Sequence, residues 1–328
     1  MSDAEPEHPF ASYVRILGRG PGKSRALTRD EARDALTAVL RGEAAPEQVG
    51  AFLMLLRYRG EAPDEISGLV EAGRAAMRAG LPAGCPAVAL DWPSYGAGRT
   101  RGEPWFLLSA LALAASGVTV LMHGSNELSQ GTAVEAGLTE LGLPISRSRD
   151  DAVHTLAWNG FAYLPLAVLC PPVDRLLTLR GVLGLRSPIN TAVRLLNPFD
   201  APCSVAGVFH PPYIDVHVGA AGLLGRGRLA VVKGGGGEAE RNPAKPVSVH
   251  LWSAVCGRSE LLLPADPPAP DRLSLGETWR GGVGYGADVA RSTIALALLA
   301  LGHASDAAAA DGEAAGIWAR RLGAAAAD

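Results

Sequence analysis

At 328 residues the chain has room for two domains, or for one large α/β domain with an appendage, and its balance of 48% hydrophobic to 19% charged residues is that of a globular protein with a sizeable core, which excludes a disordered one. A formal net charge of -3 lacks the overall basic footprint of a nucleic-acid-binding domain, so only a local basic face could serve that purpose. Cys85, Cys170, Cys203 and Cys256 stand far apart with no C-x-x-C pair, which argues against a zinc site or a disulfide framework.

The opening MSDAEPEHPF is acidic and has no apolar core of the kind a secretory signal needs. Alanine-rich runs such as Phe106 to Ala115 are too short to span a bilayer, so a cytoplasmic location and no membrane partner are expected. Gly18 to Arg25 (GRGPGKSR) looks like a phosphate loop but misses its spacing, because G-x-x-x-x-G-K-[ST] needs a glycine where Leu17 stands. It reads as a flexible basic loop. Thr28 to Glu31 is a capping box opening a helix with Ala32, Ala35, Leu36, Val39 and Leu40 on one face and Gly42 as its stop. A second helix carries Pro46 in its first turn, turns Val49, Phe52, Leu53 and Leu56 inward, and ends at Gly60. Pro63, Asp64 and Glu65 open a third, with Ile66, Leu69, Val70 and Met77 on its apolar face, ending near Gly80.

From Ala87 the pattern changes to alternating strand and helix. Strands are expected over residues 87–90, 118–121, 162–169, 205–209 and 229–232, with a helix from Pro104 to Gly117 and another capped by Thr132 and Glu135. Alternation of this kind argues for a mostly parallel sheet covered by helices. A run of four glycines, Gly234 to Gly237, is followed by alternating Val247, Val249 and Leu251, a proline-rich loop over 264–270, an apolar helix over 287–301 and an alanine-rich amphipathic tail to Leu322.

With these elements laid out, the chain resembles a known family. Thr28 to Met77, above all EQVGAFLMLLRYRGEAPDEISGLVEA, is similar to the N-terminal helical domain of anthranilate phosphoribosyltransferases and class II nucleoside phosphorylases. Gly184-Leu-Arg186-Ser-Pro-Ile-Asn190 with Leu196-Asn197-Pro198 resembles the family's LGxRTxFNxLGPLxNP, and Val231 to Glu240 sits where the family has VVxGxDGLDE. The resemblance implies a small N-terminal helical domain over 1–82, with an excursion near 171–191, and a large α/β domain over 83–328. It also implies transfer of a ribosyl group from phosphoribosyl pyrophosphate, which needs a glycine-rich cradle for diphosphate and a metal to hold it as it leaves.

Residue by residue, that machinery is thinned. The family's GTGGDG cradle falls on Ser94-Tyr-Gly96-Ala-Gly98-Arg99, and its N-x-S-T on Pro104-Trp-Phe-Leu107; KHGNR becomes Met122-His123-Gly124-Ser125-Asn126. The later polar loop is reduced to Ser129-Gln130-Gly131-Thr132-Ala133, and the metal-binding DE pair falls on Ala239-Glu240, with Glu238 nearby. The chain also resembles a divergent branch of the family in Ile16-Leu-Gly18-Arg19-Gly20 and Asp91-Trp-Pro-Ser-Tyr95; that branch is described as dimeric and, in some members, as binding nucleic acid without sequence preference.

Two functions are therefore weighed: a member that has lost most of the diphosphate grip and binds single- or double-stranded nucleic acid or another polyanion, and a glycosyl or phosphoribosyl transferase with an altered donor or acceptor site. Gly96, Gly98, His123, Gly124, Asn126, Ser129 and Arg186 are the anion, phosphate or substrate candidates. Arg19, Lys23, Arg25, Arg175, Arg180, Arg194, Arg226, Arg228 and Lys233 are the nucleic-acid candidates. Glu238 and Glu240 are the metal candidates, and Mg²⁺ is expected only alongside a phosphorylated ligand. His123 reads either as a base or as a structural residue, with no carboxylate evident in the sequence to orient it. Trp92, Tyr95 and Trp105 either fill space left by substrate or stack on bases. Self-association through the N-terminal helices follows from the resemblance alone.

Overall fold

The computed structural model describes residues 7–20, 22–78, 80–96, 102–125, 133–271 and 273–323. Its first four helices, α1 (Ala11–Gly18), α2 (Arg29–Leu40), α3 (Pro46–Arg59) and α4 (Pro63–Ala76), make the small N-terminal helical domain. Local chemistry starts and stops them. Thr28 Oγ1 accepts the Glu31 N–H at 3.2 Å while Glu31 Oε2 accepts the Thr28 N–H at 2.9 Å, so two of the orphan amides at the start of α2 are satisfied reciprocally. Gly60, at φ +83°, ends α3 in a conformation that a side chain would resist. Ala32, Ala35 and Leu36 of α2, Phe52, Leu53 and Leu56 of α3, and Ile66, Leu69 and Val70 of α4 are buried together. At Gly68 the α4 backbone comes so close to α2 that an added Cβ would lie 2.7 Å from the Arg33 nitrogen and 2.8 Å from Ala32 Cβ.

Beyond these the chain forms β1 (Leu90–Ser94), α5 (Trp105–Ala115), β2 (Val120–Gly124), α6 (Val134–Glu140), α7 (Arg149–Asn159) and β3 (Phe161–Pro165). Four short helices follow, α8 (Leu166–Leu169), α9 (Pro171–Thr178), α10 (Arg180–Leu183) and α11 (Ile189–Ala192). They share the hydrophobic cluster of the N-terminal helices through Val173, Leu176, Leu177 and Ile189. Then come β4 (Cys203–Val208), α12 (Pro212–Leu223), β5 (Arg228–Lys233), the hairpin β6 (Val247–Ser253) and β7 (Gly257–Leu263), and finally α13 (Leu275–Trp279), α14 (Tyr285–Leu301) and α15 (Ala307–Arg320).

The seven strands form one sheet in the order β3-β2-β1-β4-β5-β6-β7, parallel as far as β5 and antiparallel beyond it. Both faces are covered, as the period of two along the strands requires. Leu121, Leu164, Ala206 and Val231 point into one cluster with the helical domain, whereas Val120, Met122, Val205 and Val232 point into the other with α5 and α14. Helix α5 is buried from Trp105 to Ala114, which explains why it is apolar on every side.

Several boundaries differ from the sequence expectation for physical reasons. The first strand runs over 90–94 and not 87–90, so Asp91 and Pro93 are strand residues; Pro93 is tolerated because β1 is paired on one side only from Trp92 onward. Pro165 ends β3, and the apolar run continues as α8 instead of strand. The N-cap of α6 is Ala133, one residue past the expected Thr132, which lies outside the described residues. Helix α1 has no counterpart in the sequence reading, since Phe10 at its N-cap offers no capping side chain; the packing of Phe10 on Phe52, ring centroids 5.5 Å apart, and of buried Leu17 holds it instead.

Candidate functional site

The chain runs outward from β1 through β2 to β3, then returns to lay β4 and β5 on the other side of β1. In open parallel sheets ligands bind outside the carboxyl ends of the strands at such a reversal. Here β1 and β4 pair only at Leu90 with Cys203 and Asp91 with Ser204, then diverge. The loop after β5 is wedged into the gap. Added Cβ atoms at Gly96, Gly207 and Gly234 would all overlap Glu238, so these glycines are needed for the close approach of its backbone and side chain. Glu238 Oε1 accepts the Gly96 N–H at 2.6 Å and the Ser94 hydroxyl at 3.1 Å.

Next to this wedge a cavity of about 270 Å³ opens between the helical domain and the ends of the strands. Arg57 and Glu61 reach it from the end of α3 and the turn beyond, Arg180 and Arg186 from the excursion, Arg194 from the turn just after α11, Phe209 and His210 from the end of β4, and Tyr213 and His217 from one face of α12. Four guanidinium groups thus face one lining carboxylate. Burial, with Arg180 and Arg57 close by, holds the Arg186 guanidinium below the ordinary arginine value. Burial lowers Arg194 further, to about 10, against the opposing pull of Glu238. Arg194 donates to the Tyr95 carbonyl at 2.6 Å and to the Asn190 carbonyl. It therefore lies between the cavity and the wedge.

Glu61 is buried, which pushes its carboxyl above the usual range despite Tyr213, Arg57 at 3.9 Å and Thr191. The Tyr213 phenol, hydrogen-bonded by Arg57, is raised to about 12 by burial and by Glu61. His217 is lowered to about 4 by burial, with Arg194 contributing. Its Nδ1 lies 2.7 Å from the Tyr213 carbonyl, which can only accept, so Nδ1 carries the proton and Nε2 is left as an acceptor with no hydrogen-bond partner.

Beneath the wedge, His123 is fully buried at the end of β2. Asp91 Oδ1 lies 3.2 Å from its Nε2, and the Tyr95 hydroxyl 2.7 Å from its Nδ1. The carboxylate that the sequence did not reveal is thus the strand residue Asp91. His123 is not among the residues that line the cavity. Trp92, Tyr95 and Trp105 are 0%, 2% and 5% exposed, which overturns the base-stacking alternative for them and leaves space filling.

The structure brings Arg180, Arg186 and Arg194 together and leaves the other candidates apart. Arg226 is spent on the Leu195 and Leu196 carbonyls, and with Arg228 it lies toward the start of β5, whereas Lys233 stands at its opposite end. Arg175 is exposed on α9; Arg19, Lys23 and Arg25 lie between α1 and α2, where Arg25 pairs with Glu31 at 2.6 Å. Gly96 and Gly124 flank the crevice, and Gly98, Asn126 and Ser129 fall outside the described residues. Of the metal candidates, Glu238 Oε1 accepts from Ser94 and Gly96, and Glu240 Oε2 accepts the Phe106 N–H at 3.0 Å at the start of α5. Among the described residues no group of three or more His, Cys, Asp or Glu is arranged to hold a metal ion, and no helix is long and apolar enough to cross a membrane.

Sequence reasoning missed Arg57, Glu61, Phe209, Tyr213 and His217. The i, i+4 pairs Arg57 with Glu61 and Tyr213 with His217 were visible signals, but only the fold turns them toward one another.

Comparison with known proteins agrees with this architecture. Residues 11–77 match the helical bundle domain of a glycosyl transferase family, and residues 106–257 match its α/β domain. The anthranilate phosphoribosyltransferase of Novosphingobium aromaticivorans is 32% identical over 214 residues, 65% of this chain and 64% of that protein, so the chain spans just under two thirds of that relative. The enzyme of the same name from Methylocella silvestris is 29% identical over 86% of this chain and 84% of its own length. The uncharacterized protein YbiB of Escherichia coli is 28% identical over 74% of this chain and 76% of its own. Anthranilate phosphoribosyltransferase from Thermus thermophilus superposes with a TM-score of 0.73 over 97% of this chain and 99% of that one, at 22% identity, a likeness of fold.

Proposed function

The chain belongs to the glycosyl transferase family that joins a helical bundle domain to an α/β domain, and from that premise we propose that it is a member which has lost most of the diphosphate grip and binds nucleic acid or another polyanion, without sequence preference, at the arginine-lined cavity. The observation that carries this reading is the cavity's charge: among the described lining residues, Arg57, Arg180, Arg186 and Arg194 face the carboxylate of Glu61. Phosphate recognition without sequence preference needs just such a local excess of guanidinium groups, which suit paired contacts to phosphate oxygens. Phe209, 46% exposed at the rim, offers a face on which a base can stack. The thinned cradle motif of the sequence, with Glu238 Oε1 already accepting from Ser94 and Gly96, supports this reading over phosphoribosyl transfer. Self-association through the N-terminal helices and a cytoplasmic location belong to the same proposal.

The test is a gel shift with single-stranded DNA across a salt series. Binding should weaken as salt rises, and Arg186→Ala should flatten the log–log slope by about 0.7, the share of one phosphate contact on a single strand. Absence of any shift at low salt would sink the polyanion reading, and saturable, metal-dependent binding of phosphoribosyl pyrophosphate would favour a transferase instead.

A further inference from the structure

We propose that Glu238 is the residue that excludes diphosphate from the crevice, because its own carboxylate occupies the anion position between β1 and β4. The inference rests on the reading that the diphosphate grip is lost, and it names what has taken the ligand's place. A glycine amide and a serine hydroxyl just past the end of a parallel strand are the donors such a fold offers to phosphate oxygens. Here both donate to Glu238 Oε1, at 2.6 Å from Gly96 and 3.1 Å from Ser94. The fit is built from several elements. At Gly96, just beyond β1, an added Cβ would strike the Glu238 carboxylate itself, whereas at Gly207 within β4 and Gly234 after β5 it would strike the backbone around Glu238 that carries the side chain into place.

The charge is matched as well as the shape. Glu238 is 5% exposed and acts on the buried Arg194 as the nearby negative charge that favours its cationic form. A diphosphate entering the crevice has to displace a carboxylate that is already desolvated, hydrogen-bonded and opposite a guanidinium. An incoming anion therefore meets both occupied donors and like-charge repulsion.

The experiment is calorimetric titration of the wild-type chain, Glu238→Ala and Glu238→Gln with sodium pyrophosphate, in the absence and presence of Mg²⁺. Wild type is expected to bind at best weakly, and Glu238→Ala at least tenfold more tightly. Glu238→Gln, which keeps the size and an acceptor oxygen but loses the charge, should fall between them. If the alanine variant does not fold, as judged by a thermal melt, the glutamine variant answers the question, since any gain there comes from the charge. The proposal is overturned if neither variant gains affinity, or if wild type itself binds pyrophosphate as tightly as the variants. A missing gel shift with wild type would refute polyanion binding at the cavity and leave this pyrophosphate result standing, so the two failures are distinguishable.

Discussion

His217 makes the electrostatics of the cavity measurable. Its imidazole is fully buried and lowered to about 4 from the ordinary 6.5, burial being the main cause and Arg194 the secondary one. The hydrogen bond to the Tyr213 carbonyl opposes this without reversing it. Because the folded value lies below the unfolded one, the unfolded chain binds a proton that the folded chain refuses between those two values. The contribution of His217 to stability is then fully present above pH 6.5 and is lost as pH falls toward 4. A depression of roughly 2.5 units at 1.36 kcal/mol each gives about 3 kcal/mol lost across that window. Urea denaturation of wild type and His217→Gln at pH 7.5, 6.5, 5.5 and 4.5 isolates this share, since other groups titrate alike in both proteins. The variant should lose less stability on acidification, with the gap between the two curves widening steadily below pH 6.5. Parallel curves would show that His217 is protonated in the folded cavity and that the cavity is far less hostile to cations than four arginines imply.

Glu61 has the opposite sign. Burial raises its folded value above 4.5, so the folded chain holds the proton more tightly and stability falls as pH rises through the interval that begins there. Glu61→Gln should therefore flatten the stability profile on the alkaline side of 4.5, a slope read from thermal melts across pH 4 to 7; an unchanged slope would refute it. Gly68→Ala tests the contact between α2 and α4, where a methyl group would overlap the Arg29 carbonyl and crowd Arg33 and Ala32. Overpacking of this kind costs about 1–3 kcal/mol, and a melting temperature equal to wild type would show that the two helices can move apart freely.

The helices and the parallel sheet were legible because each follows from a local code. Thr28 with Glu31, Pro46, Pro63 and Gly60 start or stop helices by chemistry that needs no partner in space. The strand Leu90–Ser94 was not legible, since Asp91 and Pro93 are poor strand formers; Asp91 is instead placed by the buried His123 beside it. The site was legible only in part. Arg186 and Glu238 stood out through the family resemblance, but the joining of Arg57, Glu61, Phe209 and Tyr213 depends on bringing α3, β4 and α12 to one end of the sheet. The spread of basic candidates shows the converse: composition counts Arg226 and Arg194 alike, and both donate to backbone carbonyls, but only Arg194 of the two lines the cavity.

Arg194 explains how one half of such a site can be surrendered while the other is kept. Its guanidinium is buried between two anion positions, with Glu238 near it on the crevice side and the cavity on the other. A buried guanidinium needs a negative neighbour, but the need is met once, whether by a ligand or by the protein's own carboxylate. A crevice filled by Glu238, as proposed, would meet it permanently and carry no affinity for diphosphate. The hydrogen bonds of Glu238 Oε1 run to Ser94 and Gly96, and Arg57, Arg180 and Arg186 line the cavity. They can therefore meet an external phosphate without disturbing the wedge. In a working transferase the two halves must be loaded together, because the bond that breaks joins the diphosphate to the sugar. If Glu238 holds the crevice as proposed, the two halves are uncoupled by a single side chain, and a site for group transfer becomes a site for binding alone.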